Sequence, residues 1–189
     1  MDNKSSVVGV ISTAHRPFKT KKENSLVHTT LATCGDNVPL VLPRWLHDSY
    51  KGQRVVCKVC PRLTRKHVDG NLTIFTYLSC MSIWPTERED TAVVEIEGVV
   101  LCNTMMQYTK NNEPCVYFDM RYTVLLHREI ELSASCRAFG DVACELHPVV
   151  SGDRLWVSGI IGNTYGGARL KIIKFERRGD NGLVKGTLE

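Results

Sequence analysis

The run from Ala134 to Gly159, A-S-C-R-A-F-G-D-V-A-C-E-L-H-P-V-V-S-G-D-R-L-W-V-S-G, constrains the fold more than any other stretch of the chain. A strand ends at Phe139-Gly140, and a short apolar segment, Val142 to Leu146, follows it. A turn at Ser151-Gly152-Asp153 then leads into a second strand, Arg154 to Ser158, closed by Gly159. Strand, short helix, Gly-Asp turn and strand is the wiring of the third and fourth strands of a small Greek-key barrel.

The remaining strand-like runs supply two such barrels. The first half reads as strands at Val7 to Ser12, Leu26 to Thr33, Val38 to Leu42, Arg54 to Cys60 and Leu72 to Met81. Arg44 to Tyr50, between the third and fourth, is long enough for two helical turns. The second half repeats the order at Val93 to Leu101, Cys115 to Leu126, Glu129 to Phe139, Arg154 to Ile161 and Leu170 to Phe175. Lys51-Gly52-Gln53-Arg54 stands 100 residues before Ser151-Gly152-Asp153-Arg154, and Leu72 is matched with Leu170 at close to that spacing. A period this long means tandem domains and not a solenoid. The expected fold class is all-β, two tandem OB-fold (five-stranded Greek-key) barrels. The expected division is 1–84 and 92–178, with a charged, proline-containing linker at 85–91 and a tail at 179–189. Each half is short, so each core is small and the two barrels are expected to lean on one another.

Composition narrows the function classes. Hydrophobic residues make up 43% and charged residues 23% of the chain, an ordinary globular balance. No apolar run reaches the ~20 residues a membrane helix needs, so no membrane partner is expected. The polar start, Met1 to Ser6, precedes no signal-peptide core. Eight cysteines without such a leader point to a reducing compartment: cytoplasmic (nucleoid) or nuclear, and not secreted. Residues 1–90 hold 13 Lys and Arg against 8 Asp and Glu, whereas 91–189 hold 11 against 12, so the positive charge is concentrated in the first half.

Enzymatic constellations do not appear. There is no phosphate loop, no G-x-G-x-x-G after a strand, no H-E-x-x-H and no G-x-S-x-G. The six histidines are isolated in the sequence. Cys57-Lys58-Val59-Cys60, the one C-x-x-C, lies in a predicted strand, where residues three apart point to opposite faces. The chain therefore reads as a non-enzyme with no cofactor and no metal.

Nucleic-acid binding fits better. An OB barrel binds single strands across its second and third strands and between two flanking loops. In the first half those loops are read as 16–22 and 62–67, which carry Arg16, Lys19, Lys21, Lys22, Arg62, Arg65 and Lys66 with Phe18 among them. A cationic groove with interleaved rings suits a charged backbone and unstacked bases. The corresponding second-half loops carry only Lys110, with Tyr108 and Tyr165. Val116, Phe118 and Met120 alternate inward, so Tyr117, Asp119 and Arg121 face out. Trp156 also faces out, either to stack on a base or to cover the partner barrel. Arg137 completes the candidate set.

At A-F-G-x-x-A…G-D-x-L-x-V-x-G, and at I-E-G-V-V followed by Phe118, the chain resembles the single-stranded DNA-binding protein (SSB) family and its relative, primosomal replication protein B. The resemblance spans roughly 93–176. It implies single-stranded DNA held by backbone charge and by stacked bases, with Phe139 at the stacking phenylalanine of strand three. Tyr165 looks like the position where some members stack a tryptophan. Ser133 stands where many members have a further stacking tryptophan, and Pro43 stands where the first repeat would have F-G. The tail is not the acidic partner-recruiting stretch of an SSB, which points toward a primosomal-B-like or phage- or plasmid-type relative.

The expected function is a single-stranded DNA-binding protein acting in replication, replication restart or recombination. The basic first barrel is expected to supply most backbone contacts, and the second the stacking. An OB module for protein–protein interaction in a replication or telomere-type complex and a single-stranded RNA-binding protein remain open beside it. Single-stranded DNA or RNA, replication or primosome proteins, and a second copy in a homodimer are the corresponding partners.

Overall fold

The structure is a computed structural model and describes residues 5–19, 25–33, 36–68, 71–125, 128–164, 167–179 and 182–186. The first half contains β1 (Ser5–Ile11), β2 (Arg16–Lys19), β3 (Ser25–Thr33), β4 (Asp36–Pro43), α1 (Arg44–Tyr50), β5 (Arg54–Val68) and β6 (Asn71–Pro85). The second contains β7 (Val93–Val100), β8 (Met105–Tyr108), β9 (Pro114–Leu125), β10 (Glu129–Phe139), α2 (Gly140–Leu146), β11 (Arg154–Thr164), β12 (Gly167–Gly179) and β13 (Gly182–Gly186).

Each half closes on itself. In the first, the order β1-β5-β6-β4-β3 is joined into a ring by a β1–β3 pairing; in the second, β7-β11-β12-β10-β9 is joined by β7–β9. In both rings the third and fifth strands run parallel, β4 beside β6 and β10 beside β12, and the other pairings are antiparallel. Two tandem OB barrels in an all-β chain are what the sequence led one to expect.

Two devices make the closure work, and both occur twice. The opening strand has to pass from one neighbour to another: β1 leaves β5 for β3 at Val10, and β7 leaves β11 for β9 at Val99. Gly9 and Gly98 lie one residue before those crossings, and a Cβ there would run into the carbonyls of Ala32 and Arg121. After each helix, a glycine at positive φ (Gly52, 78°; Gly152, 98°) turns the chain back. Their N–H groups donate to Ile11 at 2.8 Å and to Val100 at 2.9 Å.

The helices plug the barrels. α1 buries Leu46 and His47, and α2 buries Val142, Ala143 and Leu146. Val7, Val27, Leu31, Leu40, Val55 and Leu78 fill the first interior; Ile96, Phe118, Met120, Leu155, Val157 and Leu170 fill the second. Cys57 and Cys60 are both buried, but their thiols meet different groups, Cys80 and the Met81 Sδ (3.6 Å) respectively.

One expectation needs correcting. Residues 62–67 are not a loop: β5 runs to Val68 and, after a register shift between Lys58 and Val59, pairs residue for residue with β6, Arg62 opposite Tyr77 and Arg65 opposite Ile74. This long hairpin leaves its own barrel, lies on β10 and β12 of the second and reaches side chains of β9. Arg65 pairs with Asp119 at 2.9 Å, Thr76 exchanges hydrogen bonds with Ser135, and the Tyr122 hydroxyl donates to the Pro61 carbonyl. The barrels also meet where Val8 and Thr91 exchange backbone bonds (2.8 and 3.1 Å) and where the Glu95 N–H donates to Ser5 Oγ (2.7 Å). The long hairpin also shifts the repeat: by register the residue equivalent to Leu170 is Leu78, not Leu72.

Candidate nucleic-acid interface

Pairing partners share a face of a sheet, so the registers alone place one outward row across the second barrel. Met105 on β8 is opposite Tyr117 on β9, Tyr117 is opposite Arg137 on β10, and Arg137 is beside Lys171 on β12. Their chain neighbours Val116, Phe118, Cys136, Ala138, Leu170 and Ile172 are buried, which turns the row to solvent. Phe139 and Arg169 flank it.

Charge and rings interleave there. The Arg137 guanidinium is 4.1 Å from the Phe139 ring centre and 5.9 Å from that of Tyr117. Arg169 is 5.3 Å from Tyr117, and the Lys171 ammonium is 5.7 Å from Phe139. Arg137 Nε is buried with no hydrogen-bond partner among the described residues. Cation–ring contacts at such sites are worth ~0.5–1 kcal/mol. A base stacked on a ring is worth ~1–3 kcal/mol, so a base can take the ring while the displaced cation turns to the phosphate beside it.

The same row in the first barrel is Arg16, His28, Val41 and Ser79. It has one cation, on the edge strand β2, where the second barrel has two, on β10 and β12. Phe18 stacks on His28 (4.4 Å between ring centres, 25° between planes), and Tyr77 meets His28 edge-on at 6.1 Å. Burial pushes the Tyr77 phenol above its ordinary value, and the charge of Arg62 opposes that rise. The Arg62 Nε is likewise buried with no partner among the described residues.

The other candidates are dispersed. Arg16 and Lys19 are exposed on β2, which pairs with β3 and is not a free loop. Lys21, Lys22 and Tyr165 lie outside the described residues, as does the side chain of Lys66, whose backbone pairs with Thr73. Arg65 is exposed but ion-paired to Asp119 across the barrels. Lys110 is exposed in the turn between β8 and β9. Arg121 reaches Glu131 at 3.5 Å and lines a cavity of about 690 Å³ with Glu97, Glu129 and Arg154, beyond the hairpin's contact with Asp119. Trp156 sits on β11 with Glu97 and Glu176 as its register neighbours, both ion-paired to arginines, and off the row.

Sequence reasoning passed over Arg169, Lys171, Met105, His28 and Tyr77. Two of these were readable: R-L-K-I at 169–172 alternates basic and apolar, the signature of a strand with one cationic face. Beside the first-barrel cations on which the expected division of labour rests, the second barrel brings both rings and cations to one face, because Arg137, Arg169 and Lys171 lie on the strands β10 and β12.

No protein-family model matches this sequence, and no curated protein does. Solved structures do. The wild-type single-stranded DNA binding protein from Thermus aquaticus superposes with a TM-score of 0.66 at 17% identity, over 97% of this chain and 96% of that one. The chain shares that protein's fold. A deletion mutant of the same Thermus aquaticus protein gives 0.66 and 17% over 95% of each chain. The protein PriB from Ralstonia solanacearum aligns with 47% of this chain at 19% identity and a TM-score of 0.43.

Proposed function

We propose that this protein binds single-stranded DNA without catalysing a reaction, using the outward row of the second barrel as its main contact. The observation that carries the reading is the placement of Arg137 between Tyr117 and Phe139, with Lys171 and Arg169 beside them. Flat rings accept bases of any identity, and cations next to them accept phosphates. A duplex keeps its bases stacked inside and offers the rings nothing. The near-full-length likeness to the Thermus aquaticus protein supports the same reading.

The first barrel contributes Phe18, His28, Arg16 and Lys19, so one strand crosses both barrels. The role follows from the chemistry: bare strands arise in replication, replication restart and recombination, and a protein of this kind covers them. The test is fluorescence anisotropy of a labelled 40-mer with the full chain, competed by unlabelled single-stranded DNA, RNA of the same sequence, and duplex. Single-stranded DNA should compete best and duplex worst. Equal competition by duplex would remove the proposal, and stronger competition by RNA would transfer it to RNA, since stacking and charge alone do not discriminate the sugar.

A further inference from the structure

The first barrel has no ring where the second has Phe139. Its register puts Pro43 there, opposite Leu26 as Phe139 is opposite Cys115. Two residues on, at the start of α1, Trp45 turns outward and is 67% exposed. It borders a groove of about 510 Å³ with Ser25, Leu26, Pro43, Arg44 and Asp48. The ring does not help to fill the barrel core and shares its groove with Leu26 and Pro43.

The groove is continuous with the first barrel's row. Leu26, in its wall, pairs with Phe18, and Phe18 stacks on His28. Its charge also suits a polyanion. Arg44 stands in the wall, and exposed Arg16 and Lys19 lie on the neighbouring strand β2. The groove's carboxylate, Asp48, lies 3.7 Å from both Arg44 Nε and Lys51 Nζ and is offset by them.

We propose that Trp45 is a base-stacking residue, which receives one base of the same single strand as it leaves the first barrel. The ring is displaced by two positions from the place where the second barrel carries Phe139. Arg44 meets the adjoining phosphate. The inference rests on the single-strand reading above and adds an end point to the path.

The experiment uses the full chain and oligothymidylates of increasing length, read by anisotropy and by tryptophan fluorescence. Trp45→Ala should bind strands short enough to fill the second barrel as the wild type does. On strands long enough for both barrels it should lose about 5- to 150-fold, the equivalent of ~1–3 kcal/mol for one stacked base. Trp45→Phe should recover much of that affinity while removing the quenching that long strands cause in the wild type. Because the side chain is largely exposed, an unchanged melting temperature is expected for both variants. Wild-type affinity of Trp45→Ala for long strands overturns the inference and leaves the function standing; a peptide-binding groove would give that result. A wild-type chain that binds no strand overturns both.

Discussion

Thr76 and Ser135, 59 positions apart in sequence, hold each other by two hydrogen bonds: the Ser135 N–H donates to Thr76 Oγ1 at 3.2 Å, and that hydroxyl donates to the Ser135 carbonyl at 3.5 Å. Thr76 is fully buried and Ser135 nearly so. The pair clamps the β5–β6 hairpin to the second barrel. Thr76→Val keeps the shape but strands a buried N–H and carbonyl, at ~1–3 kcal/mol. Urea unfolding should show a lower midpoint for Thr76→Val, and Thr76→Ser should recover most of it.

Tyr122 extends that junction. Burial pushes its phenol far above the ordinary tyrosine value, and the hydroxyl donates to the Pro61 carbonyl. The native state thus holds the proton more tightly than the unfolded chain. Its contribution is complete below the unfolded value of about 10 and declines as pH rises above it. Melting temperature should fall above about pH 10, and Tyr122→Phe should be less stable at pH 7 yet fall less steeply in alkali.

Gly98 lies against the backbone of β9 where β7 changes partners, and any Cβ there meets the Arg121 carbonyl. Backbone cannot move aside as a side-chain tip can. Gly98→Ala should cost ~3 kcal/mol or more, and Gly9→Ala in the first barrel should behave alike. By contrast, Gly162→Ala, at a position where a Cβ meets nothing within 4 Å, should leave thermal unfolding nearly unchanged.

Binding variants should sort by place and not by charge alone. Phe139→Ala and Tyr117→Ala should each weaken oligonucleotide binding by roughly 5- to 150-fold, the equivalent of ~1–3 kcal/mol of lost stacking. Arg65→Ala, which breaks an exposed ion pair worth at most ~1 kcal/mol, and Trp156→Phe, which lies off the row, should bind within about twofold of the wild type.

Much of this architecture was legible because barrels repeat. The strand Glu129–Phe139, the helix after it and the positive-φ turn at Gly152 all follow from local sequence. The β5–β6 hairpin was missed because its basic residues were read as a loop. The signal was present in Asp69-Gly70, a dipeptide favoured in two-residue hairpin connections, with Val68 and Asn71 paired on either side. The burial of Ser135 and Thr76 was not readable, since alternation puts Ser135 on the outer face and only the other barrel covers it. The row itself required register: nothing local places Lys171 beside Arg137.

The central claim is most directly tested by the salt dependence of binding to single-stranded DNA. If about five phosphates are neutralised, log affinity should fall against log salt with a slope of about −3.5, at ~0.7 per contact. Arg137→Gln with Lys171→Gln should reduce that slope by about 1.4. A slope near zero in the wild type, or an unchanged slope in the double variant, would contradict the account.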